Sequence, residues 1–183
     1  MLREKLPADL DYHNYEHTLD VLQAAERIAI EEKTGSDDLE LLRTAAVLHD
    51  SGYINSRVEH EEESCRIAEK LLSSYGIEQE FIDKVCELIR ATKVPHNPKN
   101  KLSQILCDAD LDYLGREDFF PISHTVYLEF KRFGVVKDEA EWNKLQIRFF
   151  KSHKYFTPTA NRTRNQKKME HLEMLKALVE ERE

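Results

Sequence analysis

The strongest chemical signal in this chain of 183 residues is a histidine followed directly by an aspartate, His49 and Asp50. An apolar run, residues 44–48, precedes the pair, and Ser51 and Gly52 follow it. An imidazole and a carboxylate at the end of an apolar helix are two metal-binding groups in a largely dry place. Burying such groups costs several kcal/mol unless they are paired or bound to a cation. The pair therefore predicts a buried polar site.

Side chains with matching chemistry lie both upstream and downstream of this pair. His17 falls on the apolar face of a predicted helix, and an acidic segment downstream contains Asp108, Asp110 and Asp112, between which spacing alone does not choose. Two imidazoles and two carboxylates suit Fe, Mn, Zn, Co or Ni, and Mg less well. Such a set leaves open positions on a metal for water and for a substrate oxygen. The residues thus predict one divalent metal ion and a metal-dependent hydrolase, with a phosphate ester as substrate.

Helical periodicity dominates the elements that must position these groups. The predicted helices span about 14–33, 37–49, 60–75, 78–92, 101–113, 117–133, 138–151 and 159–181. Asp37 and Asp38 suit an N-cap of the second helix. Since distant ligands converge only when separate helices pack around one centre, we expect an all-α, compact orthogonal bundle. The length predicts a single domain over 1–183, with 138–183 as a helical C-terminal extension packed on it.

Composition and charge indicate which partners the protein has and in which compartment it is expected. The net charge of −8 does not favour binding to nucleic acid. No stretch approaches the roughly 20 apolar residues of a membrane span, and the first residues lack the apolar core of a signal peptide. Three widely spaced cysteines, Cys65, Cys86 and Cys107, are expected to be buried, reduced thiols. These features predict a cytoplasmic protein with a small-molecule substrate and no membrane partner.

The basic residues are unevenly distributed. Residues 151–169 contain six Lys or Arg and no Asp or Glu, and Lys93, Lys99 and Lys101 form a second basic stretch. These segments are either solvated loops or the rim of a pocket for an anionic substrate. On the second interpretation, Lys93 and Arg162 are candidates to neutralise a phosphate.

The order of His17, the His49-Asp50 pair and Asp110 resembles the HD superfamily of metal-dependent phosphohydrolases. The segment Cys107-Asp108-Ala109-Asp110-Leu111 is similar to the one that carries the last metal-binding aspartate in that family, which selects Asp110. The resemblance covers residues 12–115 and implies an HD-type helical bundle. It also implies one divalent metal held by these four side chains.

A closer likeness lies in the first long helix, where residues 12–23 read YHNYEHTLDVLQ. This stretch resembles the signature YHNxxHAxDVxQ of class I cyclic nucleotide phosphodiesterases, which implies that His17 binds metal and that His13 protonates the leaving oxygen. However, the chain departs from the signature HDxxHPGxxN after the His-Asp pair, and no purine-binding segment is recognisable. The chain is therefore more similar to small stand-alone bacterial HD hydrolases.

Two further positions bear on the number of metal ions. His60 occupies a plausible place for a second-metal ligand, but Lys93 stands where two-metal relatives show a histidine. We therefore expect one metal, with His60 and Lys93 facing the substrate. His96, in a loop after Pro95, is expected to be exposed.

These residues together predict hydrolysis of a phosphomonoester, phosphodiester or pyrophosphate in a nucleotide-like molecule. Asp50 is expected both to bind the metal and to accept a proton from the attacking water, and His13 to act as the general acid. Two alternatives stay open. One is a nucleotide-sensing module that kept the fold and lost turnover, and the other is a two-iron HD oxygenase.

Overall fold

The protein is described here from a computed structural model, which covers residues 2–180. These residues form nine α-helices and two short 3-10 turns, with no β-strand among them. The helices are α1 (Leu2–Lys5), α2 (Tyr15–Glu31), α3 (Ser36–Leu48), α4 (His60–Ser74), α5 (Gln79–Ala91), α6 (Lys101–Asp110), α7 (Phe119–Arg132), α8 (Glu139–Ser152) and α9 (Pro158–Glu180). The prediction of an all-α fold is confirmed.

The chain divides into two compact units, Met1–Leu111 and Asp112–Glu183. The predicted organisation, one domain with 138–183 as an extension, stays a prediction. Residues 181–183, which include the predicted end of the last helix, lie outside the described residues.

The core of the first unit is built from the apolar faces of α2, α3, α5 and α6. Ile28, Leu42, Ile89 and Ile105, one from each helix, are fully buried in it. Spacing of three or four residues places the apolar side chains of one helix on a single face. His17 lies on the buried face of α2 together with such side chains, so the core itself positions this imidazole. The three predicted thiols are free and buried in this unit.

The beginnings of α2 and α3 are fixed in different ways. The side chain of Asn14 caps α2 by accepting hydrogen bonds from the amides of Glu16 and His17, at 3.0 and 3.1 Å. The predicted N-cap of α3 is wrong, because Gly35 occupies that position. Asp37 and Asp38 instead lie in the first turn of α3, where a carboxylate interacts favourably with the helix dipole.

A 3-10 turn over Ser51–Ile54 joins α3 to α4 and comes very close to the start of α4. A Cβ atom at Gly52 would overlap the backbone carbonyl of His60. Only glycine therefore permits this approach, which places His60 near the His49-Asp50 pair.

The second unit contains α7, α8, α9 and a 3-10 turn over Asp112–Gly115. Two residues of the basic stretch 151–169 form hydrogen bonds inside this unit. Arg164 donates two hydrogen bonds to the Asp112 carboxylate, at 2.8 and 3.1 Å. Lys168 is buried and donates to the carbonyl of His153 at 2.7 Å, and this burial lowers the pKa of its ammonium group. These two cations therefore stabilise the unit internally.

Among the helices of residues 2–180, none combines the length and apolar character needed to cross a lipid bilayer.

Candidate metal centre

The structure brings the four predicted metal ligands together inside the first unit. Nε2 of His17 lies 3.4 Å from Oδ2 of Asp50 and 3.2 Å from Oδ1 of Asp110. Nε2 of His49 lies 3.2 and 3.5 Å from the same two oxygens. Three of the residues, His17, His49 and Asp110, each offer one ligand atom, and these atoms lie within 4.8 Å of one another.

The donor atoms of this cluster lack the partners that buried polar atoms normally have. Nε2 of His17, Nε2 of His49 and Oδ2 of Asp50 are buried without a hydrogen bond from the rest of the described chain. Ligand bonds of about 2.1 Å to a shared ion place neighbouring donors about 3.0–3.4 Å apart. The observed separations of 3.2–3.5 Å therefore fit a divalent cation better than they fit direct hydrogen bonds.

The backbone of α3 sets the orientation of one imidazole. Nδ1 of His49 lies 2.8 Å from the carbonyl oxygen of Ala46, which can only accept a hydrogen bond. Nδ1 therefore carries a proton, and Nε2 faces the cluster. A hydrogen bond on the far nitrogen is the usual way in which proteins hold a metal-binding histidine.

The carboxylates make the centre strongly attractive to positive charge. Burial alone would lower the pKa of His17, but Asp110 and Asp50 outweigh it and raise that pKa above its ordinary value. Burial acts in the opposite sense on Asp110, yet the surrounding histidines hold the pKa of this carboxyl well below its usual range. The acids are therefore ionised, and their charge is balanced either by protons on the imidazoles or by a bound cation that displaces them.

Ser64, on α4, connects the end of α3 to the turn that follows it. Its buried Oγ donates to the carbonyl of His49 at 2.6 Å and accepts from the amide of Gly52 at 2.8 Å. One hydroxyl thus fixes the backbone on both sides of Asp50. Ser64 is a positioning residue that the sequence alone does not indicate, because a serine inside a helix carries no distinctive pattern.

We expect the substitution Ser64→Ala to lower the free energy of unfolding by about 1–3 kcal/mol, since it leaves two buried backbone groups without a partner. For a chain of this size, that loss lowers Tm by about 2–4 °C per kcal/mol. Thermal unfolding followed by circular dichroism measures the change. The matched control is Ser74→Ala on the same helix, an exposed serine that bonds only within its own last turn. Equal Tm values for the two variants would contradict the bridging role of Ser64.

Three aromatic rings are stacked beside the cluster. Tyr53 lies between His13 and His60, with ring centroids 4.5 Å from the first and 4.3 Å from the second. The ring of His13 is 5.9 Å from that of His17. The predicted general acid therefore lies next to a predicted ligand, and Tyr53 holds it there. Tyr53 lies in a turn without periodicity, so the sequence alone does not indicate this role.

Two further histidines approach the remaining oxygens of the same carboxylates. Nε2 of His60 is 3.4 Å from Oδ1 of Asp50, and Nε2 of His96 is 3.7 Å from Oδ2 of Asp110. The prediction that His96 is exposed is wrong, because only 4% of its side chain is accessible. The loop folds this imidazole inward onto the Asp110 carboxylate, which attracts a positive or hydrogen-bonding partner. No local sequence pattern reports such a contact.

The remaining predicted substrate-binding residues lie in exposed positions. Nζ of Lys93 is 2.7 Å from both carboxylate oxygens of Glu59. Arg162 is an exposed residue of α9, in the second unit. The predicted roles of Lys93 and Arg162 in substrate binding stay predictions.

A family model identifies the family to which this chain belongs. A model of the HD domain family matches residues 14–112, which contain all four candidate ligands. An uncharacterized protein of Clostridium beijerinckii (strain ATCC 51743 / NCIMB 8052) is 34% identical over 104 residues, 54% of this chain and 62% of that protein. The match thus spans less than two thirds of this relative's length.

A solved structure shares the fold. The crystal structure of a predicted HD superfamily hydrolase from an uncultured Thermotogales bacterium superposes with a TM-score of 0.60 and 23% sequence identity. The superposition covers 93% of this chain and 82% of that one. At this identity the likeness supports the fold and says nothing about substrate.

Proposed function

Because the chain belongs to the HD domain family, we propose that it is a metal-dependent phosphohydrolase acting on a phosphate ester of a nucleotide-like small molecule. One observation carries the proposal. Three buried donor atoms, on His17, His49 and Asp50, face one point and lack hydrogen-bond partners among residues 2–180. Such atoms are costly unless a ligand satisfies them, and a divalent cation fits their chemistry.

The cation would be held by His17, His49, Asp50 and Asp110. When bound, such an ion polarises a phosphoryl oxygen and makes water a better nucleophile near neutral pH. Asp50 has two different oxygens, since Oδ2 faces the two ligand histidines and Oδ1 faces His60 at 3.4 Å. We assign the metal contact to Oδ2. Oδ1 is assigned to accept a proton from the attacking water, with His60 to hold the carboxylate in place.

His13 is the proposed acid for the leaving group. Its ring is fixed by stacking on Tyr53, with an angle of 18° between the two planes. A group that donates a proton in the transition state must be held near the departing oxygen before bond cleavage begins. The position of His13 next to His17 supports this role, because the scissile phosphate would lie at the cation that His17 binds.

Lys93 is proposed to bind substrate phosphate after exchanging its present partner. Its ion pair with Glu59 is about half exposed on both sides. Exposed ion pairs contribute little to stability, so a phosphate can displace the Glu59 carboxylate at small cost. His60 is proposed as a further substrate contact.

The test is a screen of the purified, metal-loaded protein against cyclic nucleotides, nucleoside mono-, di- and triphosphates, and model phosphodiesters. We expect release of product from at least one class, and none above background from the His49→Ala variant. A metal-loaded protein that binds nucleotides and hydrolyses no member of the panel would contradict hydrolysis and favour the nucleotide-sensing module.

One observation favours a second candidate, the two-iron oxygenase. With His60 and His96, four imidazoles surround the two carboxylates of Asp50 and Asp110. Each carboxylate oxygen of the two acids therefore has a histidine nitrogen within 3.7 Å, so further imidazole ligands for a second ion are close by. Elemental analysis separates the candidates, since one ion per chain supports the site proposed here. Two irons per chain with consumption of dioxygen would favour the oxygenase.

We expect Mn²⁺, Zn²⁺ or Ni²⁺ to raise the Tm of chelator-treated protein, because the ion binds the folded centre and not the dispersed ligands of the unfolded chain. At a free ion concentration of about 100 times Kd, the stabilisation is about 2.7 kcal/mol. This corresponds to a rise of about 5–11 °C for a chain of this size. Differential scanning fluorimetry measures it, and Asp110→Ala should show little or no rise. An equal rise in Tm in the wild type and in Asp110→Ala would show that the ion binds outside this centre.

A further inference from the structure

A groove of about 540 Å³ lies in the first unit, apart from the residues of the candidate metal centre. Its walls come from the turn after Asp50, from α4 and from Lys5 at the end of α1. Pockets that hold small molecules have volumes of about 300–1,000 Å³. The groove therefore has room for a ligand, and the proposed hydrolysis does not use it.

One wall of the groove is apolar. Ile67 and Leu71 lie four residues apart on α4 and so share one helix face. Ile54, at the end of the 3-10 turn, adds a third apolar side chain, and all three are half-buried. This surface favours contact with a hydrocarbon or ring.

Positive charge dominates the rest of the lining. Glu63 is the acid of the groove, and its two oxygens already accept hydrogen bonds from Asn55 at 2.6 Å and from Arg66 at 2.8 Å. Lys5 and Lys70 also line the groove, and the ammonium group of neither lysine forms an ion pair or a hydrogen bond within residues 2–180. Two uncompensated cations thus face the groove, in a chain whose net charge is −8.

The two cations of α4 differ in their surroundings. Arg66 forms an ion pair with Glu63 at 2.8 Å, whereas Lys70, four residues further along the helix, forms no ion pair within residues 2–180. Lys70 is therefore the cation of α4 that is available to an anion. The apolar wall and the two lysines together predict a ligand that has an apolar part and an anionic head.

We propose that this groove binds a small amphiphilic anion, with its apolar part against Ile54, Ile67 and Leu71 and its anionic head at Lys70 and Lys5. The inference goes beyond the proposed function, because the occupant is not the hydrolysed substrate and binds without the cation. Ile54 follows Tyr53 directly, so the occupant contacts the turn that also carries the ring between His13 and His60.

The test uses 1-hexanesulfonate, which has an apolar chain and an anionic head and contains no phosphoryl group. Binding to chelator-treated full-length protein is followed by isothermal titration calorimetry and by ¹H–¹⁵N NMR. We expect binding at one site, with shifts at α4 and at residues 53–55. Methanesulfonate and 1-hexanol, which each carry one part of the probe, should bind about tenfold more weakly or not at all.

Variants distinguish the groove from general charge attraction. Lys70→Glu should weaken binding of 1-hexanesulfonate about tenfold or more, and Ile67→Ala should weaken it measurably. Lys84→Glu, an exposed lysine of α5 outside the groove, makes the same change in net charge and should leave binding within about twofold. Circular dichroism checks that each variant is folded.

Three results would overturn the inference. The first is no binding of 1-hexanesulfonate to the wild-type protein, and the second is equal weakening by Lys70→Glu and Lys84→Glu. The third is loss of binding in the His49→Ala variant, which would place the probe at the metal centre. Failure of the proposed hydrolysis leaves these measurements unchanged, so the two hypotheses fail separately.

Discussion

The Asp110→Asn variant is expected to lose tight binding of divalent cations and, with it, hydrolytic activity by about 10³-fold or more. The asparagine keeps the size of the side chain but removes the charge of Oδ1, which lies 3.2 and 3.5 Å from the two imidazole nitrogens. A catalytic cation contributes several kcal/mol of transition-state stabilisation, and each 1.36 kcal/mol corresponds to about tenfold in rate. His49→Ala and Asp50→Ala are expected to behave in the same way.

Two measurements on the same preparations test this prediction. Elemental analysis after dialysis gives the metal content, and initial rates on the best substrate of the screen give the activity. Asp83→Asn, which alters an exposed carboxylate of α5, serves as the control and should match the wild type in both. A variant of Asp110 that loses the ion and keeps full activity would show that the cation has no part in the reaction.

The proximity of the four candidate ligands was predictable, because these residues occur in a fixed order on or next to regular helices. His17 lies on the buried face of α2, and the His49-Asp50 pair follows the apolar end of α3. Periodicity places such residues on a helix face, and the family resemblance adds which downstream acid joins them. Asp112, one of the alternatives, instead forms a buried ion pair with Arg164 in the second unit.

The parts of the centre that could not be predicted come from segments without periodicity. His96 follows α5 in an irregular loop, and its inward orientation depends on the charge of Asp110, which is distant in sequence. Tyr53 lies in a 3-10 turn, where no repeat indicates which way a ring points. The bridging role of Ser64 depends on two backbone groups 12 and 15 residues away. Long-range contacts of this kind are visible only after folding.

The turn after Asp50 is therefore the element that brings the proposed catalytic groups together. Ser64 fixes its backbone from α4, and Gly52 allows it to approach the start of that helix. As a result, Tyr53 is held between His13 from the segment before α2 and His60 from α4. The aromatic stack connects the proposed acid to the candidate metal ligand Asp50 through packed rings, an arrangement that would keep a catalytic group in a productive position.

The His13→Asn variant is expected to lose activity in a way that depends on the leaving group. With an alkyl leaving group, kcat/KM should fall by about 10²–10⁴-fold, because the departing alkoxide needs a proton. With p-nitrophenyl esters, kcat/KM should fall by about tenfold or less, since p-nitrophenolate is a good leaving group that departs without being protonated. Rates on paired alkyl and p-nitrophenyl phosphodiesters give both values, with metal content measured alongside.

Tyr53 provides the internal comparison for this prediction. Tyr53→Leu removes the ring that lies 4.5 Å from His13, so it should show a smaller loss with the same dependence on leaving group. Tyr53→Phe keeps the stacked ring and should preserve that dependence at close to the wild-type rate. When His13 is already replaced by Asn, the additional substitution Tyr53→Leu should change the rate very little. The effects of two substitutions are not additive when both act through the same group, here the His13 imidazole. Equal losses on both substrates in His13→Asn would instead assign His13 to substrate binding or folding, and proton donation would then have to come from another group.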